Sequence, residues 1–290
     1  MAPHRIAVMA SCYNRKQTTL RFLQSLTVQP AFANNETDVY LLDDGSTDGT
    51  AAAIAEKFPF VKVVPGSGAL FWAGGMRTVW QHARAQKDYD LFLLCNDDVV
   101  LFENALGDLV AQYERVNKTG VILVGSTLSE QSGKLSYGGF ILRKPGHCKY
   151  DPVLPDEQEL VRCHLGNGNI LMVDRATVQK IGIFTEAYTH YFADFDYTLR
   201  ASQSGIDILV PPGYYGYCED DHGNKWLPGS IPLKERIRYL YSPKGMAFSE
   251  HLLYIKKHFP GDYFSEWSKL WLQTLFPIVW DTFKRGDDAY

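Results

Sequence analysis

The sequence predicts an α/β protein built on a doubly wound, mostly parallel sheet with helices on both faces. Apolar runs of strand length, at residues 6–10, 39–42, 61–64 and 91–95, alternate with helical patterns, an order typical of βαβ units. With 290 residues and 46% hydrophobic composition, the chain can bury a substantial core. Acidic residues directly follow two of the apolar runs, at the edge of an open α/β sheet where ligands bind.

Helices are expected between these strands. Leu20, Leu23 and Leu26 recur at helical spacing behind the first strand. Helical patterns over 51–58 and 76–85 follow the second and third strands. These segments would cover the faces of the sheet.

The second half of the chain has a more mixed pattern. Strands are expected at 121–124 and 170–173. Asp174 is placed to cap a helix over 175–181. Beyond Pro228 the strand-like runs cease, and the composition shifts to helices rich in aromatic and basic residues.

Composition and charge exclude several classes of protein. A net charge of −4 argues against a general nucleic-acid binder, which carries a basic excess. The five cysteines include no CxxC pair and indicate reduced thiols rather than a disulfide framework. No apolar stretch approaches the roughly 18 residues of a membrane span, and the first apolar run is too short for a signal peptide. We therefore expect a cytoplasmic protein.

The most informative segment is the octet Asp-Asp-Gly-Ser-Thr-Asp-Gly-Thr at residues 43–50. Asp43 and Asp44 end the second strand, and a turn leads from them into a helix. Two carboxylates would repel a phosphate, so we expect them to face a base, a ribose or a metal ion. Ser46 and Asp48 are equally suited to capping the helix that follows.

The octet resembles the nucleotide-sugar signature of glycosyltransferase family 2, the inverting enzymes with the GT-A fold. The resemblance implies a UDP- or dTDP-linked sugar donor, with Asp43, Asp44 and Gly45 at the nucleotide. It further implies a glycan or lipid-linked glycan acceptor in bacterial surface polysaccharide synthesis. Matching motifs follow in the family's order from about residue 5 to residue 225.

The triplet Asn96-Asp97-Asp98 closes the strand at 91–95 and resembles the family's Asp-x-Asp motif, with Asn96 in place of the first Asp. The resemblance implies Mn²⁺ or Mg²⁺ at Asp98 and a ribose contact from Asn96 or Asp97. Carboxylate oxygen suits such hard cations, which stabilise a leaving diphosphate. His222, in an acidic turn, is the second metal ligand that the resemblance implies. A polar turn that only caps the strand is the alternative.

A glycine-rich segment at 68–77 resembles the family's loop between the nucleotide strand and the metal motif. Gly74 and Gly75 would let the backbone approach the donor closely. Trp72 is suited to stacking on a sugar or to core packing, and Arg77 to contacting a phosphate.

The segment Ser-Cys-Tyr-Asn-Arg at 11–15 follows the first strand and resembles the family's Thr-Tyr-Asn-Arg turn. The resemblance places Ser11, Tyr13 and Arg15 at the nucleobase pocket. Asn14 is also suited to capping the next helix.

The stretch at 192–201 resembles the family's Glu-Asp-x-Asp segment, with Ala193 in place of the Glu. An inverting transferase needs a carboxylate to deprotonate the acceptor hydroxyl. The resemblance assigns this role to Asp194 and leaves Asp196 as the alternative. Arg200 lies four residues past Asp196, the spacing of a helical ion pair.

The Gly-Asn-Gly-Asn run at 166–169 precedes the strand at 170–173 and falls where the family builds the floor of its acceptor site. Asn167 and Asn169 are suited to hydrogen bonds with sugar hydroxyls. A Gly-Asn turn without a ligand explains the run equally well.

These motifs suggest two units. We expect a catalytic domain over 1–230, with a nucleotide-binding half at 1–100 and an acceptor half at 101–230. A helical extension is expected over 231–290.

In that extension, aromatic and aliphatic residues recur at helical spacing among lysines, namely Phe264, Trp267, Trp271 and Leu275. They are suited to packing on the catalytic domain, to homodimer formation, or to peripheral contact with an anionic membrane. Pro277 is expected to kink the helix.

Two other functions compete with glycosyl transfer. A sugar-1-phosphate nucleotidyltransferase would need a glycine-rich, basic loop after the first strand, and residues 11–15 lack the glycines. A non-catalytic nucleotide- or glycan-binding module would not need the acidic residues that the motifs retain. The segment at 68–77 and the late histidine also resemble members that transfer rhamnose or galactofuranose.

Overall fold

The computed structural model describes residues 3–220 and 226–283. The strands are β1 (Arg5–Cys12), β2 (Glu36–Asp43), β3 (Lys62–Pro65), β4 (Leu91–Cys95), β5 (Val100–Leu101), β6 (Val121–Val124), β7 (Thr127–Leu128), β8 (Leu135–Tyr137), β9 (Gly139–Leu142), β10 (Tyr150–Pro152), β11 (Val161–Arg162), β12 (Leu165–Gly166), β13 (Ile170–Asp174), β14 (Asp207–Val210) and β15 (Gly216–Tyr217). The helices are α1 (Lys16–Thr27), α2 (Pro30–Asn34), α3 (Thr50–Lys57), α4 (Phe71–Gln86), α5 (Ala105–Val116), α6 (Arg175–Ile181), α7 (Ala193–Gln203), α8 (Leu233–Tyr241), α9 (Phe248–His258), α10 (Tyr263–Leu275) and α11 (Pro277–Phe283), with a 3₁₀ turn at Pro260–Asp262.

An eight-stranded sheet with the order β11-β14-β6-β13-β4-β1-β2-β3 organises the molecule. Strands β4, β1, β2 and β3 are parallel, as are β6 and β14, whereas β13 is antiparallel to both of its neighbours and β11 to β14. The predicted α/β fold with a mostly parallel sheet is confirmed. The register pairs Cys12 with Asp43, so the segments after β1 and β2 leave the sheet side by side.

Alternate residues of the central strand β1 enter two separate cores. Ala7 and Met9 face the core that includes Trp80, while Ile6 and Val8 face the core that includes Phe22. This period of two is the pattern of a strand covered on both faces. Helix α4 contributes to the first core, and α1, α3 and α5 contribute to the second.

Two smaller sheets lie beside the large one. Strands β10, β9 and β12 form the first, and β5, β15, β7 and β8 form the second. Pairing of Tyr217 with Val100 brings the chain after β15 next to the chain after β4. The expected metal motif and the segment near residue 218 therefore meet.

Helix α4 begins earlier than its sequence pattern suggests. The predicted helix covers 76–85, but the observed one starts at Phe71 and includes Gly74 and Gly75. The helical pattern is hidden at these glycines because they contribute no apolar side chain. The carboxylate of Asp44 accepts hydrogen bonds from the N–H groups of Leu70 and Phe71 and so stabilises the early start.

The C-terminal helices share the main core. Tyr254, Ile255 and Phe259 pack within the same core as Trp80. A separate small cluster joins α8, α9, α10 and the connection between α8 and α9 through four apolar residues, namely Leu240, Met246, Leu252 and Leu270. Pro277 begins α11, so the helical run is interrupted there as expected. Among the described residues, every helix is too short or too polar to cross a bilayer.

Candidate active site

Hydrogen bonds interlock the two loops at the carboxyl ends of β1 and β2. Asn14 Oδ1 accepts from the backbone N–H of Thr47 at 2.7 Å, and Ser46 Oγ accepts from the N–H of Asn14 at 2.8 Å. Asp48 accepts from the first backbone N–H of α1 at 2.9 Å. Ser46 therefore holds the neighbouring loop. Asp48 serves both helices, because its Oδ1 also accepts from the N–H of Thr50, the first residue of α3, at 3.0 Å.

The two acids at the end of β2 are buried and bonded to backbone amides. Asp43 Oδ1 accepts from the N–H of Ser46 at 2.8 Å. Asp44 accepts from the N–H of Gly68 at 2.8 Å through one oxygen and from that of Leu70 at 2.9 Å through the other. Asp44 thus ties the glycine-rich segment to the end of β2, a contact that its motif alone does not reveal.

Close backbone packing explains several small residues at this edge. Gly45 has a left-handed φ of 79°, and a Cβ there would lie 3.3 Å from Gly68 Cα. Gly75 has no room for a Cβ because Ser11 Oγ occupies that space. Tyr13 is 47% exposed and lies at the open side of the same edge.

The first turn of α4 is bonded within the protein. The N–H of Gly74 donates to the carbonyl of Thr189 at 3.3 Å. The guanidinium of Arg77 donates to the carbonyls of Thr185 and Tyr188 at 3.1 and 3.4 Å. Arg77 therefore anchors the loop before α7, and its expected phosphate contact stays a prediction.

Trp72 links the donor side of the site to the segment before β13. Its indole Nε1–H donates to Asn96 Oδ1 at 2.8 Å. A Cβ on Gly168 would lie 2.6 Å from the indole ring and 3.5 Å from Asp194 Cβ. Trp72 and Asp194 therefore both lie against Gly168.

Arg15 bridges the two carboxylates of the expected metal motif. Its Nη1 lies 3.2 Å from Asp97 Oδ1 and 2.6 Å from Asp98 Oδ2. Asp97 is buried and also accepts from Thr19 Oγ1 at 3.0 Å. Burial raises the pKa of Asp97 to about 6, although the charge of Arg15 opposes the shift.

A relay of hydrogen bonds connects Asp98 to the expected acceptor floor. Asn169 Nδ2 donates to Cys218 Sγ at 3.2 Å, and that thiol donates to Asp98 Oδ1 at 3.4 Å. Asn167 Oδ1 accepts from the N–H of Gly138 at 3.3 Å. Both asparagines are buried, so they hold this wall of the site together.

The chemistry of Asp98 fits a hard divalent cation. Its side chain is 21% exposed and lines a cavity of about 550 Å³ together with Arg15 and Cys218. Within residues 3–220 and 226–283, three or more His, Cys, Asp or Glu side chains nowhere gather as a ready-made metal site. Mg²⁺-type sites take one or two carboxylates and complete their shell with substrate phosphates, which matches this arrangement. The expected ligand His222 lies outside the described residues.

Asp194 lies in the first turn of α7, where the helix dipole favours a negative charge. Its Oδ2 accepts from the N–H of Gly168 at 2.9 Å, and its Oδ1 accepts from the N–H of Phe195 at 2.9 Å. Burial, with the charge of Asp194 adding to it, raises the pKa of both Tyr150 and Tyr254. The carboxylate is thus fixed in a partly enclosed aromatic setting.

Asp196, the alternative base, is enclosed on all sides. Arg200 Nε lies 2.8 Å from its Oδ2, which confirms the expected helical ion pair. Its Oδ1 is contacted by Lys257 Nζ at 2.6 Å, His258 Nε2 at 2.8 Å and Tyr188 Oη at 3.2 Å. Burial opposes ionisation, but these hydrogen bonds outweigh it and hold the pKa of Asp196 well below its ordinary value.

Sequence motifs did not single out several residues of the site. Cys218 carries no recognisable signal because it is an isolated thiol. Gly168 belongs to the run at 166–169, but its sequence does not show that it is small to admit the indole ring of Trp72. Lys257 and His258 belong to a helix that looked like an appendage. Only the fold brings these residues to the carboxyl edge of the sheet.

Comparison with known proteins agrees with this geometry. Residues 7–144 match the family model described as glycosyl transferase family 2. Over 231 residues the chain is 27% identical to N-acetylglucosaminyl-diphospho-decaprenol L-rhamnosyltransferase of Mycobacterium tuberculosis, which covers 71% of this chain and 73% of that relative.

Solved structures share the fold. The mannosyltransferase PcManGT from Pyrobaculum calidifontis, in complex with GDP-Man and Mn²⁺, aligns with a TM-score of 0.54 and 16% identity, over 83% of this chain and 62% of that one. TarS of S. aureus in complex with UDP-GlcNAc aligns with a TM-score of 0.57 and 19% identity, over 76% and 60%. The chain thus spans about three fifths of the length of these two structures.

A GT-A sheet whose carboxyl edge carries these acidic side chains defines the protein as a glycosyltransferase. Within that class, residues 7–144 match glycosyltransferase family 2.

Proposed function

We propose that this enzyme is an inverting, cation-dependent transferase of bacterial surface polysaccharide synthesis. It moves a sugar from a UDP- or dTDP-linked donor to a glycan or lipid-linked glycan acceptor. The observation that carries the proposal is that Trp72 and Asp194 both lie against Gly168. The bond from Trp72 to Asn96 ties this pair to the strand that ends in Asp97 and Asp98.

The donor nucleotide binds at the carboxyl ends of β1, β2 and β4 in this proposal. Exposed Tyr13 and buried Asp43 take the base, while Asp97 and Asn96 lie closer to the ribose. Asp44 acts indirectly, because both of its oxygens hold the segment at 68–71. The loop bonds of Asn14 and Ser46 keep this surface in place before the donor arrives.

Mn²⁺ or Mg²⁺ is the proposed cofactor, held by Asp98 and by His222. When bound, such a cation offsets the negative charge of the departing diphosphate. Arg15 already contacts the carboxylate of Asp98 and so limits the repulsion between Asp97 and Asp98. Its guanidinium also lines the cavity beside Asp98, within reach of an entering phosphate.

Asp194 is the proposed general base. It removes the proton from the acceptor hydroxyl as that oxygen attacks the anomeric carbon from the face opposite the diphosphate. Its two backbone hydrogen bonds fix the carboxylate direction and leave lone pairs for the acceptor. Asp196 is unsuited to this role because its side chain is 1% exposed and bonded to four partners.

The acceptor and its location rest on the relative and on the surface of the C-terminal helices. The name of the mycobacterial relative specifies a rhamnosyl transfer to a lipid-linked diphosphate sugar, so rhamnose and a lipid-linked acceptor are the first candidates here. Phe264 and Ile278 are 80% and 68% exposed on α10 and α11. Apolar side chains so exposed, with Lys269 on the same helix as Phe264, suit reversible contact with an anionic membrane.

Nucleotide release tests the proposal. The full chain is incubated with a panel of UDP-, dTDP- and GDP-sugars, Mn²⁺ and a lipid-diphosphate sugar acceptor, and the released nucleotide diphosphate is measured with Asp194→Asn as control. We expect acceptor-dependent release with a UDP- or dTDP-sugar. Pyrophosphate formation from a nucleoside triphosphate and a sugar 1-phosphate would identify a nucleotidyltransferase instead, and binding without turnover a non-catalytic module.

A further inference from the structure

The buried carboxylate of Asp196 joins two helices that are far apart in the sequence. Arg200 belongs to the same helix, α7, whereas Lys257 and His258 come from the end of α9. His258 is as enclosed as Asp196, with 1% of each side chain exposed. An ionised carboxylate in such a site must keep its partners, so α7 and α9 are held together at this point.

A second contact between α9 and the start of α7 involves Phe192, which precedes Asp194 in the sequence as Asp196 follows it. Phe192 precedes α7 with a left-handed φ of 67°, which is strained for a bulky side chain. The ring of Tyr254 stacks on Phe192 with centroids 5.1 Å apart and planes at 22°. The N–H of Asp196 donates to the carbonyl of Phe192 at 2.7 Å and closes the turn.

We propose that α9 positions the catalytic carboxylate, with Lys257, His258 and Tyr254 as positioning residues. These three residues form the clamp. Lys257 and His258 hold Asp196, two residues after Asp194, and Tyr254 holds Phe192, two residues before it. The inference rests on the proposed role of Asp194 as the base. The C-terminal extension is then a working part of the active site rather than an appendage to it.

The position of Asp194 depends on this clamp because the first turn of α7 carries its carboxylate, between Phe192 and Asp196. Two of the hydrogen bonds that this carboxylate accepts come from the backbone N–H groups of Gly168 and Phe195. A rotation of α7 about its axis would move the carboxylate relative to Gly168 and Trp72. Arg200 anchors α7 on one side, because its guanidinium donates to the carbonyls of Ile181 and Ile183. The contacts from α9 hold Asp196 and Phe192 from another element, so α7 is also fixed at these two residues.

The test compares Lys257→Met and Tyr254→Leu with Leu252→Ala. Leu252 is buried in α9 but packs in the small cluster away from Asp196, so its truncation loosens the extension without touching the clamp. Lys257 is 39% exposed, and its variant should fold. For both clamp variants we expect kcat to fall about 10- to 100-fold, the cost of a small misplacement of a reacting group. KM for the donor should stay unchanged.

Lys257→Arg keeps the cation and should recover most of the lost kcat. A purely structural role would give equal kcat losses for Leu252→Ala and Lys257→Met at equal loss of Tm, and that result would overturn the inference. So would a wild-type kcat in both clamp variants. Failure of the proposed function is distinguishable, because Asp194→Asn would then retain its turnover whatever the clamp variants do.

Discussion

The guanidinium of Arg15 and the carboxylate of Asp98 are in direct contact, with Nη1 and Oδ2 2.6 Å apart. Arg15 precedes α1, and Asp98 follows β4, so the contact joins two loops at the carboxyl edge of the sheet. The other oxygen, Oδ1, accepts from the thiol of Cys218, so a cation that binds Asp98 must share the carboxylate with both partners or displace one of them. The ion pair and the proposed metal site therefore compete for one carboxylate.

Two variants should move the affinity for Mn²⁺ in opposite directions. Asp98→Ala removes the proposed ligand and is expected to abolish cation-dependent turnover while the fold persists. Arg15→Met removes the competing charge and should raise the affinity for Mn²⁺ alone, measured by electron paramagnetic resonance titration without nucleotide. Asp207→Asn, which also removes one carboxylate but at the far edge of the sheet, is the control. Full activity of Asp98→Ala in excess chelator would exclude this ligand.

The base is tested by Asp194→Asn, which keeps the side-chain shape and removes the proton acceptor. Turnover should fall by about 10²–10⁴-fold, the usual contribution of a general base. Affinity for the nucleotide diphosphate, measured by calorimetry, should stay unchanged because the proposed role of Asp194 is at the acceptor and not at the nucleotide. A variant that retains normal turnover would mean that another group removes the proton.

Gly168→Ala should disable the site by displacing Trp72. The added Cβ would lie 2.6 Å from the indole ring, closer than real contacts allow, so the ring must move and break its bond to Asn96. We expect a loss of turnover and a changed tryptophan emission spectrum. Gly107→Ala is the control. Its added Cβ would meet only Ala31 Cβ, at 3.4 Å, and position 107 lies within α5, where alanine is favoured over glycine by about 1 kcal/mol. Unchanged activity in Gly168→Ala would exclude a tight fit here.

Stability should decrease below neutral pH because of His190. Burial, together with the positive charges of Lys244 and Arg15, lowers the pKa of His190 to about 4. The unfolded chain takes up this proton near pH 6.5, and the folded protein does so only near pH 4. Above about pH 6.5, His190 is neutral in both states and does not lower the free energy of unfolding. As the pH falls to about 4, its protonation in the unfolded chain lowers that free energy by up to about 3 kcal/mol.

Urea unfolding at pH 7.5 and pH 4.5 measures this dependence. The difference in the free energy of unfolding between the two pH values should be smaller in His190→Asn than in the wild type. His82→Asn, a change on an exposed stretch of α4, should leave this difference as it is in the wild type. An equal difference in wild type and His190→Asn would assign the pH dependence to other groups.

Membrane contact is tested by flotation with liposomes. Each basic residue near an anionic surface contributes about 1 kcal/mol, so we expect the full chain to bind anionic vesicles and to dissociate as salt is raised. Phe264→Ser and Ile278→Ser should weaken binding without lowering Tm, since both side chains are exposed. If the wild type stays unbound on anionic vesicles at low salt, membrane contact is excluded, and Phe264 and Ile278 serve packing or homodimer formation instead.

Much of the fold could be predicted because its information is local. The expected strands at 39–42 and 91–95 lie within or coincide with β2 and β4, and their terminal acids fall at the sheet edge. Asp174 caps α6 through the N–H of Thr177, as its position before the helix suggested. The ion pair between Asp196 and Arg200 was equally predictable, since helical geometry brings side chains four residues apart together.

By itself, then, the sequence determined the order of strands and helices up to about residue 100 and the position of the acids that follow β2 and β4, because these follow from the periodicity of neighbouring residues. Only the tertiary structure decided what each acid contacts. Asp44 holds backbone amides, Asp98 meets a thiol and a guanidinium, and Asp196 binds Lys257 sixty-one residues further along. Such contacts join segments that are distant in the chain, and no local pattern encodes which of them will meet once the sheet is assembled.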